Sequence, residues 1–139
     1  MIQTATQVPH HIFTTRLMPM PPRSETERSA AVRVAVIAGP YVPVPPKQYG
    51  GTELVIANLI RGLQEMGHQP VLLASADSTI DCPIIPITDK AIYFPKHKKD
   101  LPAYLARAKE IEKNTANKLR GVLGDVDIVH SHGFDLKDF

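Results

Sequence analysis

The 139-residue chain is predicted to fold as an α/β protein, an incomplete doubly wound parallel sheet of Rossmann-like type. Three observations predict it. "VRVAVIAG" at 32–39 and "PVLLAS" at 70–75 are short, mostly apolar runs, as strands buried on both faces of a parallel sheet are. Between them, "TELVIANLIRGLQEM" at 52–66 changes to a helical period. A strand–helix–strand unit with short connections is a right-handed βαβ crossover.

Residues 1–30 show no sustained period, and prolines and polar residues interrupt each apolar patch. They read as a disordered N-terminal extension, and without a basic start and a long apolar stretch they are a poor secretory signal. Residues 31–139 form the folded part. The strand at 32–39 ends in Gly39-Pro40. In the following helix, Val55, Ile56, Leu59, Ile60, Leu63 and Met66 share one face. Thr52 suits the cap, Glu53 the positive end of the helix dipole, and Gly67 the C′ position. "PIIPI" at 83–87 is a weaker third strand, and 88–100 reads as loop. Leu101, Tyr104, Leu105, Ala108, Ile111, Leu119, Val122 and Leu123 mark a long amphipathic helix over 101–123. "GDVDIVHSHG" at 124–133 is a turn and a fourth strand.

Composition narrows the function. Hydrophobic residues make up 43% and charged ones 22%, enough for a packed core. The formal charge of +2, from 16 basic and 14 acidic residues, gives no argument for nucleic acid. Cys82 is the single cysteine, so no internal disulfide forms and a reducing, cytoplasmic setting is natural. No apolar run approaches the roughly 20 residues that cross a bilayer.

In a doubly wound sheet the first and fourth strands lie side by side, and ligands bind at their carboxyl ends. That brings "GPYVPVPPKQYGGTE" and "HSHG" to one crevice. Gly50, Gly51 and Thr52 would present backbone N–H groups at the positive end of a helix, a setting that favours an anion. The prolines stiffen the loop, and Lys47 and Tyr49 add a charge and an amphipathic ring. The other reading is a rigid turn whose glycines only supply positive φ. Neither G-x-G-x-x-G nor G-x-x-x-x-G-K-[ST] is present, which disfavours a nicotinamide dehydrogenase and a P-loop NTPase.

Together, "RVAVIAGPYVPVPPKQYGGTELVIANLIRGLQEMGHQPVLLASADS" and "DIVHSHG" resemble the N-terminal domain of family-4 glycosyltransferases of the GT-B fold, over residues 32 to about 134. The resemblance implies transfer of a sugar from a nucleotide-sugar, a co-substrate rather than a cofactor, to a sugar or lipid-linked acceptor. It implies that the N-terminal domain mainly holds the acceptor. Gly50 and Gly51 would be the loop that approaches the donor diphosphate, with Lys47 and Tyr49 at the acceptor mouth. No metal is implied. The family's donor-binding C-terminal half is not in this sequence, so the chain is expected to be a truncated or split member, inactive alone. Self-association through an exposed sheet edge is a further expectation. The rival expectation is a non-catalytic half-domain that pairs with a separate subunit, or a relic.

His130 and His132 lie on one side of the fourth strand. His132, nearer the strand end, is the candidate for a catalytic or sugar-binding role; the alternative is a pair satisfied by nearby backbone. "HSHGFD" also resembles the metal pair of amidohydrolase-type hydrolases, which needs further ligands downstream. Asp77 and Ser78 read as loop caps. The "KHKK" run at 96–99 reads as a solvated face, with a membrane-peripheral role as the other reading.

Overall fold

The computed structural model of the protein describes residues 22–137 and 139. The elements are helix α1 (Glu25–Ala30), strand β1 (Arg33–Ile37), helix α2 (Gly51–Glu65), strands β2 (Gln69–Ser75) and β3 (Ile84–Thr88), helix α3 (Leu101–Val122) and strand β4 (Ile128–Ser131). The strands form one parallel sheet in the order β3-β2-β1-β4. The winding therefore reverses between β1 and β4, as in the predicted Rossmann-like topology.

Both faces of the sheet are covered, which is why β1 reads as apolar from Val34 to Ile37. Val34, Val36 and Ala38 face Ile56, Ala57 and Ile60 of α2. Ala35 and Ile37 point the other way, to Ile111, Leu119 and Val122 of α3. At the end of α2, Gly67 adopts a left-handed φ of 83° and His68 N–H donates to Leu63 O at 2.8 Å, closing the helix as predicted. The start differs. Gly50 is the N-cap and makes no side-chain cap hydrogen bond, so Thr52 lies inside the first turn rather than capping it. The buried face also differs: Glu53, Ile56, Ala57 and Ile60 are inside, while Val55 and Met66 are exposed.

The extension predicted for residues 1–30 needs correction at its end. Residues 1–21 lie outside the described residues, but Glu25–Ala30 is helical. Arg23 ties this segment to the sheet. Its guanidinium donates to Ala31 O at 2.9 Å and to Asp127 Oδ2 at 2.6 Å, and its side chain is only 7% exposed. The same Asp127 oxygen accepts from Arg33 N–H at 2.8 Å, beside the first residue pairs of β1 and β4. Asp127 is itself partly solvated, which limits the value of the pair. Arg23→Ala should therefore cost about 1 kcal/mol, a fall of a few degrees in Tm. An unchanged thermal melt would show that the segment does not hold the sheet.

Among the described residues, β4 has a strand on one side only, and Ile128 on it is half exposed. No described helix is long and apolar enough to cross a membrane.

Candidate functional site

A cleft of about 670 Å³ opens at the carboxyl ends of β1 and β4, where the predicted topology puts it. Its walls come from five places: the end of β1 with Gly39–Tyr41, the first turn of α2, Ile87 of β3, the stretch Leu105–Thr115 of α3, and His132–Phe134 after β4.

The proline-rich loop is fixed to the rest of the fold. Val44 is fully buried, its N–H donates to Ser78 Oγ at 2.9 Å, and its carbonyl accepts from Thr79 N–H at 2.8 Å. Asp77 Oδ1 accepts from Ala91 N–H at 3.1 Å. Asp77 and Ser78 are thus loop ties, as expected, and they anchor the two connections that frame the cleft.

The two glycines differ in what surrounds them. A Cβ on Gly50 would lie 2.7 Å from Pro46 Cβ, 2.9 Å from Glu53 Oε2 and 3.1 Å from Val42 Cγ1. Gly50 is therefore required by the protein's own packing. A Cβ on Gly51 would meet nothing within 4 Å. Gly51, Thr52 and Glu53 precede the first helical bond, from Leu54 N–H to Gly50 O at 3.0 Å, so their N–H groups belong to the open, positive end of α2.

Thr52 and Glu53 line the cleft. Glu53 is 8% exposed, so it does more than favour the positive end of the helix dipole. Its spacing from Ile56, Ala57 and Ile60 is the signal that places it on the inward face. Lys47 and Tyr49 do not line the cleft; both are exposed on the outer side of the loop, Tyr49 at 91%.

His132 does line it. Its backbone N–H extends the ladder to Ile37 O at 3.0 Å. Ser131 Oγ accepts from Phe134 N–H at 3.1 Å and donates to Phe134 O at 2.8 Å, closing the turn through Gly133 with its φ of 88°. The His132 ring meets His130 edge-on, with centroids 4.7 Å apart, and its Nε2 is buried without a hydrogen-bond partner. Burial lowers its pKa below 6.5, His130 adds to that, and Glu53 opposes it. Neutral imidazole is the result near pH 7. His130 is exposed and lies outside the cleft wall.

The opposite wall was not read from the sequence. Lys109, Glu112 and Thr115 of α3 face the cleft together with Leu105 and Ala108, at the three- and four-residue spacing of one helical face. Among the described residues, no three His, Cys, Asp or Glu side chains group as a metal site.

No curated protein matches the chain. The family model for Glycosyltransferase Family 4 matches residues 49–136, from the residue before the Gly50-Gly51 pair through α2, β2, β3, α3 and β4 to just beyond His132. That span is well over half of the chain and holds most of the cleft wall, and with the parallel order β3-β2-β1-β4 it shows that the chain belongs to Glycosyltransferase Family 4.

Proposed function

We propose that this chain supplies the acceptor-binding side of a nucleotide-sugar-dependent glycosyltransferase. In this reading a second, donor-binding Rossmann-like domain completes the cleft, in the same polypeptide or as a separate subunit. The observation that carries it is the convergence of the open α2 N-terminus, Glu53 and His132 on one cleft.

Transfer forms a bond from the acceptor oxygen to the anomeric carbon, breaks the bond from that carbon to the diphosphate oxygen, and releases the acceptor proton. The chain's residues divide these demands. The space in front of Gly51 lets a diphosphate approach the N–H groups and the dipole of α2. Neutral His132 and the Glu53 carboxylate are hydrogen-bond partners for acceptor hydroxyls, and His132 Nε2 gains the partner it lacks. Lys47 and Tyr49, on the outer lip of the loop, meet the donor or the facing domain. No metal or cofactor is assigned. Stabilisation of the leaving diphosphate falls to the helix dipole and to basic side chains of the donor domain.

The purified chain alone should bind acceptor saccharides and turn over no nucleotide-sugar. Turnover by a sample freed of host enzymes would overturn the split of roles. Acceptor binding should perturb the NMR signals of His132 and Glu53. The His132 ring should titrate below 6.5. Because its folded pKa is lowered, its contribution to stability is present above about pH 6.5 and lost as pH falls through the folded value. A ring that titrates above 6.5 would contradict the partly desolvated, neutral placement.

A second reading, pairing with another copy or another subunit through β4, is favoured by its half-exposed Ile128 and its one-sided pairing among the described residues. Ile128→Lys should then lower association at high concentration, measured by sedimentation, with little loss of stability. Unchanged association would remove this reading.

A further inference from the structure

The connection between β3 and α3 carries a surface that the cleft does not explain. Tyr93 and Phe94 are 58% and 72% exposed, and the exposed run Lys96, His97, Lys98 and Lys99 follows directly. The Phe94 ring meets Tyr104 of α3 edge-on, with centroids 5.4 Å apart. Tyr104 in turn lies 6.1 Å from Tyr41, which lines the cleft. An aromatic surface thus runs from the cleft mouth to the basic run. Its backbone is held in place: Ile92 N–H donates to Pro40 O at 2.8 Å, and a single 3-10 turn at Lys98–Asp100 leads into α3. Fixed, exposed aromatics of this kind cost solubility and add nothing to the core.

We propose that this surface, Tyr93, Phe94 and the lysines at 96, 98 and 99, docks the protein on an anionic lipid bilayer. Aromatic rings settle at the headgroup level, and lysines beside them are drawn to acidic headgroups. Charge complementarity selects the bilayer's sign: in the stretch 91–99 every charged side chain is a lysine, and the first carboxylate is Asp100 at its end. Single-stranded nucleic acid fits less well. The chain's net charge is only +2, and the Phe94 and Tyr104 rings stand at 69° to each other, so they form an apolar edge rather than a stacking platform. Docking in this pose sets the cleft mouth against the membrane surface. That the docked cleft receives a lipid-linked acceptor rests on the acceptor-side reading; the docking itself does not.

The chain has no tryptophan, so Phe94→Trp gives a single reporter. Met66→Trp, at the far end of α2 and equally exposed, is the control. With vesicles of mixed phosphatidylcholine and phosphatidylglycerol, emission from Phe94→Trp should shift to the blue and resist iodide quenching, while Met66→Trp should do neither. Vesicles of phosphatidylcholine alone should bind weakly, and salt should release the protein. Replacing Lys96, Lys98 and Lys99 together by alanine should weaken vesicle binding by roughly five-fold per lysine, on the order of a hundred-fold in all. Circular dichroism of each variant confirms the fold. The proposal is overturned if Phe94→Trp shows no shift, if both reporters respond alike, if the lysines prove dispensable, or if single-stranded RNA displaces the vesicles and binds more tightly. No sugar donor enters the assay, so a failure of transfer leaves this result standing.

Discussion

Gly50→Ala should lower stability by about 1–3 kcal/mol, while Gly51→Ala should not. The two positions are adjacent, yet their surroundings are opposite. The new Cβ at position 50 would press on Pro46 Cβ at 2.7 Å and Val42 Cγ1 at 3.1 Å, both on a loop pinned through Val44 to Ser78. It would also displace the Glu53 carboxylate at 2.9 Å from its buried place in the cleft. The loop has little freedom to yield, so the fall in Tm should be several degrees for a chain of this size. At position 51 the Cβ meets nothing, and alanine is the better helix former, by up to about 1 kcal/mol. Gly51→Ala should thus melt at or slightly above the wild-type temperature. On the proposed acceptor-side reading, with a donor-binding domain supplied, it should still raise the KM for the nucleotide-sugar, because the methyl group fills the space in front of the α2 amides. Thermal melts of the two variants test the packing, and donor kinetics with the donor domain test the function. A stable Gly50→Ala protein would mean that the loop is looser than the structure shows.

The contrast explains what could be read from the sequence here. A Gly-Gly pair before a helix was recognisable, but whether each glycine makes room for the protein or for a ligand depends on Pro46 and Val42, which only the folded loop brings there. The strands were legible because a parallel sheet buries both faces: all five residues of β1 are inside, and the apolar run follows from that. The cleft position was legible from topology alone, since β1 and β4 must be neighbours. The Arg23–Asp127 tie was not, because the partners are 104 residues apart and neither carries a local pattern. Nor was the α3 wall: Lys109 and Glu112 look like ordinary solvent-facing charges until β4 brings His132 across from them.

Ile56→Ala should be among the most damaging substitutions in the chain, at about 2–5 kcal/mol, while Val55→Ala next to it should stay within roughly 0.5 kcal/mol. Hydrophobic periodicity placed both on one buried face, but a strip that includes Glu53, Ile56, Ala57 and Ile60 turns Val55 outward, and it is 56% exposed. Ile56 is fully buried against Val34, Val36 and Leu72. It sits one turn after Glu53, so it is the nearest apolar anchor that holds the start of α2 on the sheet. Truncating it leaves a cavity there, and the surrounding strands are paired on both sides and cannot collapse into it. The loss should therefore reach the cleft as well as the core, since the amides of Gly51 and Thr52 and the Glu53 carboxylate all depend on where that turn rests. Denaturant unfolding gives the stability change, and the NMR shifts of the His132 ring report the cleft. If Ile56→Ala and Val55→Ala were to cost the same, the inward face of α2 would be the one that periodicity alone suggests, and Glu53 would not be in the cleft.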